Sequence, residues 1–226
     1  MNKTIWVFSF LLVLIADVIA VYLNNETLRY ITKPLLMPLL VIYFVASTKF
    51  FLSPLKKWIV LALVFSWLGD VLLMFETANG SFFIFGLIAF LIAHIFYILF
   101  YQNILKLEGL QKNYWLFLPV LIYYVALIYI LSPHLGEMEL PVRIYGVVIS
   151  YMLIQALQVA RVKNKNAAIL LICGAVLFIA SDSILAINKF YSPFEFAGIA
   201  IMLTYGIAQL LIVLGAIQYI SSRVKQ

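Results

Sequence analysis

The stretch Ser66-Trp67-Leu68-Gly69-Asp70-Val71-Leu72-Leu73-Met74 sets an ionisable carboxylate inside a run, Trp58 to Phe75, that is otherwise almost entirely apolar. In hydrocarbon such a group costs roughly 2.5–3.5 kcal/mol on insertion scales, so an aspartate there is a functional candidate by default. Ser66, four residues earlier, shares the helix face of Asp70, and Gly69 lets a neighbouring helix come close. A second stretch, Ala180-Ser181-Asp182-Ser183-Ile184-Leu185-Ala186, repeats the theme 112 positions later.

The 226 residues are 66% hydrophobic and 11% charged, whereas about a quarter of a soluble domain is charged. The composition therefore reads as an all-α integral membrane protein. A formal charge of +6 would suggest nucleic acid in a soluble protein. Here the basic residues lie in short loops between apolar runs, where they orient spans, and no nucleic-acid partner is expected. Cys173 stands alone within an apolar run, which leaves no disulfide framework and no thiolate metal site, and core packing is its expected role. Lys3, Ile5–Ile15 and Val18-Ile19-Ala20 have the outline of a signal peptide, but the run continues to Tyr22, the length of a span, so it reads as retained.

Apolar runs of spanning length occur at about 58–75, 5–22, 82–101, 114–132, 141–160, 167–187 and 196–220. A shorter run at 34–48 carries Pro34, suited to a first helical turn, and Pro38, which would kink it. Eight transmembrane helices in one domain, 1–226, result. With a cytoplasmic N-terminus, eleven basic residues fall on the cytoplasmic side: Lys3, Lys49, Lys56, Lys57, Lys106, Lys112, Arg161, Lys163, Lys165, Arg223 and Lys225. Four (Arg29, Lys33, Arg143, Lys189) fall on the other. Both termini are therefore expected in the cytoplasm of a multi-pass membrane protein, in the inner membrane if the source is bacterial.

A four-plus-four parallel repeat is suggested by Ser81–Ala89 and Ser192–Ala200, which agree at five of nine positions at an offset of 111. Chance similarity between Phe-rich helices is the alternative. The repeat would set Asp70 against Asp182 and His94 against Tyr205, with Gln209 one turn further along.

All three aspartates (Asp17, Asp70, Asp182) lie inside apolar spans and all six glutamates in loops or at span ends. The aspartates share one depth, about five residues before the outer end of spans one, three and seven. Three helices could thus line one polar cavity, with no basic residue buried mid-span to neutralise it, and with a protonated acid beside an ionised one. Alternatively, each aspartate separately bonds a hydroxyl across a helix interface. His94 lies on a stripe with Gly86, Phe90, Tyr97 and Tyr101. It suits either an interhelical hydrogen bond or proton transfer. Lys33, at the outer entrance of span two, reads as an interfacial anchor or as a contact for a phosphate or a carboxylate. With two histidines, a catalytic zinc site is not expected, and no cofactor motif appears. The Gly-x-Gly-Asp signature of presenilin-type proteases lacks its first glycine at Trp67-Leu68-Gly69-Asp70.

Thr32-Lys33-Pro34, Ser66–Leu73, Phe85-Gly86 with Ala93-His94-Ile95-Phe96-Tyr97, and Ser181-Asp182-Ser183-Ile184-Leu185-Ala186 together resemble the lysoplasmalogenase family of eight-span membrane proteins, bacterial and animal. The resemblance implies hydrolysis of the vinyl ether bond of a lysoplasmalogen, a lysophospholipid, with Asp70 and Asp182 at the family's two aspartate positions. Two carboxylates suit that chemistry, one donating a proton to carbon while the other stabilises the cation and directs water. Asp70 has fewer hydroxyl neighbours than Asp182 between Ser181 and Ser183, which favours Asp70 as the acid. Asp17, Lys33, Ser66, His94, Tyr97, Ser181, Ser183, Tyr205 and Gln209 are expected to support the site. Gly86, Phe90, Phe96, Ala197 and Met202 would wall a narrow tube for the alkyl tail, open toward the outer surface. The rival is a proton- or cation-coupled transporter using the same aspartates. No obligate protein partner is expected. The charge asymmetry makes one test direct: reporters fused to either terminus should read out in the cytoplasm, and a readout from the opposite face at either end overturns the span count or the orientation.

Overall fold

The computed structural model describes residues 3–77 and 79–223; Lys225 of the charge count lies outside them. Eight α-helices follow one another: α1 (Lys3–Tyr22), α2 (Glu26–Thr48), α3 (Lys56–Leu73), α4 (Ser81–Leu107), α5 (Phe117–Leu131), α6 (Glu139–Gln158), α7 (Lys165–Ala186) and α8 (Ala197–Arg223). No strand occurs among the described residues. Seven of the eight are long and apolar enough to cross a membrane. The exception, α3, has 18 residues that include Lys56, Lys57 and Asp70. The protein is a multi-pass integral membrane protein, as composition required.

The main difference from the sequence reading is in α2. Asn25 caps it by accepting a hydrogen bond from the Leu28 amide at 3.0 Å, so the helix begins at Glu26 and holds Pro34 and Pro38 in its interior. A proline at 38 has no N–H to give the Pro34 carbonyl, its normal partner one turn back. The indole Nε1 of Trp67 on α3 donates to that carbonyl instead, at 3.0 Å. The early start carries Lys33 two turns into the helix, where it is buried.

Two close helix approaches shape the rest. A Cβ on Gly69 would lie 2.5 Å from the Phe90 ring, so α3 meets α4 only because position 69 is bare. A Cβ on Gly174 would lie 2.9 Å from the Ala208 carbonyl, which brings the backbones of α7 and α8 together. These two hairpins, α3 with α4 and α7 with α8, are packed along their lengths. Helix α5 stands at the margin, with Leu118, Leu121, Ile122, Val125 and Tyr129 exposed. Cys173 is exposed on α7 and does not pack in the core. Depth along a helix is readable from sequence, but the side a residue faces turns by about 100° per position and depends on the neighbours.

Trp67→Phe keeps an aromatic ring and removes the donor. Leaving the Pro34 carbonyl unpaired should cost about 1–3 kcal/mol, seen as a lower thermal unfolding midpoint in detergent; an unchanged midpoint would mean that another donor serves that carbonyl.

Candidate active site

A cavity of about 200 Å³ opens at the end of the bundle where α2, α4, α6 and α8 begin and α3 and α7 end. Arg29, Glu76, Phe190 and Gly198 line its mouth side, and Lys33, Asp70, Phe90, Tyr145, Ser181, Asp182, Met202 and Tyr205 are among its deeper walls. Asp70 and Asp182 therefore face the same space.

Their surroundings differ. Asp70 is buried, with its Oδ1 3.7 Å from the Lys33 ammonium and its Oδ2 accepting a 2.7 Å hydrogen bond from the Tyr205 hydroxyl. The burial of Lys33 inside helix α2 corrects the expectation that no basic residue would be buried beside the acids, while the carboxylate contact that was one of its readings is made with Asp70 on α3. Asp182 has no such cation. The Tyr145 hydroxyl donates to its Oδ2, and the His94 Nε2 stands 3.8 Å away, beyond hydrogen-bonding reach. The Asp182 side chain is 15% exposed against 3% for Asp70.

His94 is fully buried, edge-on to the rings of Tyr145 and Phe178, and neither ring nitrogen has a hydrogen-bond partner among the described residues. Below the cavity, Tyr97 donates to Gln209, whose amide donates to Ser66 at 3.0 Å, so these three tie α4, α8 and α3 together without lining the space. Ser181 donates to the Ile201 carbonyl at 3.1 Å. Ser183 turns the other way and bonds Tyr123 of α5.

Asp17 does not join the cavity. It is buried between α1 and α2, where the Thr32 hydroxyl donates to its Oδ1 at 2.7 Å. It faces α2 and not the cavity, and a hydroxyl partner across a helix interface was its alternative reading. Phe96 also lies elsewhere, with its ring centroid 6.1 Å from Trp58 and 5.5 Å from Phe65. Leu73 occupies the space beside Gly86, and Gly198 lines the cavity in place of Ala197. Sequence reasoning passed over Tyr145, one of 14 tyrosines with nothing to distinguish it, and Arg29 and Glu76, which read as surface charges.

A model of the YhhN family matches residues 28–216. Lysoplasmalogenase TMEM86B of Rattus norvegicus is 35% identical over 159 residues, 70% of this chain and 60% of that protein. The lysoplasmalogenase of Mycobacterium bovis is 32% identical over 163 residues, 71% of this chain and 60% of that protein. Lysoplasmalogenase TMEM86A of Homo sapiens is 30% identical over 170 residues, 73% of this chain and 67% of that protein. The chain thus spans about 60% of the length of the first two. No solved structure matches it.

The buried ion pair yields its own test. Removing one partner of such a pair strands the other charge, at about 3–5 kcal/mol, so Lys33→Met should be strongly destabilised in thermal unfolding. The double variant Lys33→Met with Asp70→Asn should recover most of the loss; a double variant no better than the single would show that the two charges do not act as a pair.

Proposed function

The chain belongs to the YhhN family, and from that premise we propose that it is a membrane-embedded hydrolase cleaving the vinyl ether bond of a lysoplasmalogen. The observation that carries the proposal is that Asp70 and Asp182, in unlike surroundings, face one cavity at the end of the bundle. Lysoplasmalogenase is also the name of its relatives, which lends support.

The roles follow from the partners. Lys33 holds Asp70 as a carboxylate, while Asp182, with a phenol and no ammonium beside it, is the proton donor. This reverses the assignment suggested by chain neighbours alone, because the partner that matters for Asp70 comes from another helix. Asp182 protonates the second carbon of the alkenyl chain, and the first carbon becomes an oxocarbenium ion that the Asp70 carboxylate stabilises. Water adds to that carbon and gives its proton to Asp70. The hemiacetal then collapses: its hydroxyl proton returns to Asp182, the departing glycerol oxygen takes the proton on Asp70, and a fatty aldehyde and a glycerophospho-alcohol leave. Both carboxyl groups end as they began. Tyr145 and Tyr205 fix the orientation of the two acids. Arg29, whose Nε has no hydrogen-bond partner among the described residues, lies on the mouth side one turn before Lys33 on α2 and is placed to meet the substrate phosphate.

The same reading takes α3 as a span, giving eight in one domain with both termini cytoplasmic. A parallel repeat of α3–α4 in α7–α8 belongs to it. Its support is a crosswise pattern: Asp70 meets Tyr205, Asp182 stands by His94, and the offset of the repeat exchanges these two contacts.

Purified protein should release aldehyde from a lysoplasmalogen and not from its saturated-ether analogue. Asp70→Asn and Asp182→Asn should each lower kcat by at least about 100-fold while the protein still folds in detergent. Near-normal turnover in either variant rules out the two-carboxylate mechanism.

A further inference from the structure

The cavity is too small for a whole lipid. At about 200 Å³, and with about 30 Å³ taken by each water-sized group, it holds a glycerol unit and the first carbons of a chain. A second space of about 40 Å³ lies across Tyr145 and Asp182, between α5, α6 and α7. Its walls include Tyr123, Leu127 and Ile128 of α5, Gly146 and Ile149 of α6, and Ile179 of α7. Val142, Tyr145, Asp182 and Ala186 border both spaces, so the Tyr145–Asp182 hydrogen bond is part of the partition between them.

We propose that this crevice takes the one or two chain carbons next to the reacting pair and is the route by which the hydrocarbon chain of the lipid substrate leaves the cavity for the bilayer. Three observations carry it. The walls are mainly apolar, and the Tyr123 hydroxyl is spent on Ser183, which in turn donates to the Ile179 carbonyl. The outer wall is α5, the helix with the most exposed apolar surface in its span, so the crevice borders the lipid. The partition also falls at the carboxyl group that protonates the second chain carbon, which is the atom reaching Asp182 when the glycerol sits in the cavity and the tail points outward through the wall. The identity of the lipid rests on the hydrolase reading above.

The test uses a saturated-ether lysophospholipid with a diazirine at the fourth chain carbon, photolysed with the full-length protein in nanodiscs. Labelling should fall on the peptides around 123–128 and 146–149, should be competed by excess unlabelled saturated-ether lysolipid, and should drop about tenfold in Ile149→Trp, which fills the crevice without touching the cavity. If that variant does not accumulate, Leu127→Trp on the marginal helix α5 serves in its place. Competed labelling confined to Leu87 of α4 and Met202 of α8, or labelling that no lysolipid competes, overturns the proposal. The lipid cannot be hydrolysed, so its binding is read apart from turnover, and an absence of aldehyde release would count against the hydrolase and leave the crevice to be judged by its label. In turnover, the blocked variant should lose about tenfold in kcat/KM for a long-chain vinyl ether and keep its rate on a short-chain one; equal losses on both would also overturn it.

Discussion

The ion pair between Lys33 and Asp70 is the constraint on which the polar end of the bundle depends. Two opposite charges inside a protein are tolerable together and very costly apart. Lys33 therefore has to be carried inward on a helix that starts at Glu26, and α3 has to lie alongside it. The Trp67 indole replaces the donor that Pro38 lacks, so the contact that mends α2 also fixes α3 against it three residues before Asp70. Asp70 then accepts from Tyr205 and becomes a joint of three helices, α2, α3 and α8.

The second carboxylate is built differently. Asp182 relies on the Tyr145 phenol, faces an orphaned imidazole, and forms part of a thin wall with space on both sides. Like groups in unlike surroundings are how one site runs acid and base chemistry at a single pH. The charge-paired member suits the stabilising of a cation, which requires a fixed negative charge. The member without a cation, in the wall between the two spaces, suits the carrying of a proton.

Much of this was legible in the chain. Runs of apolar residues mark the helices because a span must satisfy its own backbone and cover its own length. Asp70 and Asp182 stand out because carboxylates are rare in such runs, and Tyr205 and Gln209 follow from helical spacing and the apparent repeat. What stayed hidden depended on partners far away in sequence. The polar segment Glu26–Lys33 looks like a loop unless Asp70 is there to receive Lys33, and Pro38 looks like a break unless Trp67 is there to mend it. Asp17 and Asp70 both lie in apolar runs, but only packing decides that one faces Thr32 and the other the cavity. Tyr145 carries no local mark at all.

The partners of the two cavity acids also have an order in the chain. Lys33 precedes Asp70, and Tyr145 precedes Asp182. During synthesis helices enter the bilayer from the N-terminus onward, so each of these acids arrives where a group able to receive it is already in place. Helix α8, which supplies Tyr205 and Gln209, comes last and packs back on α1 and α2. Neither acid therefore enters ahead of its partner, and the pocket is complete only when the final helix closes the ring.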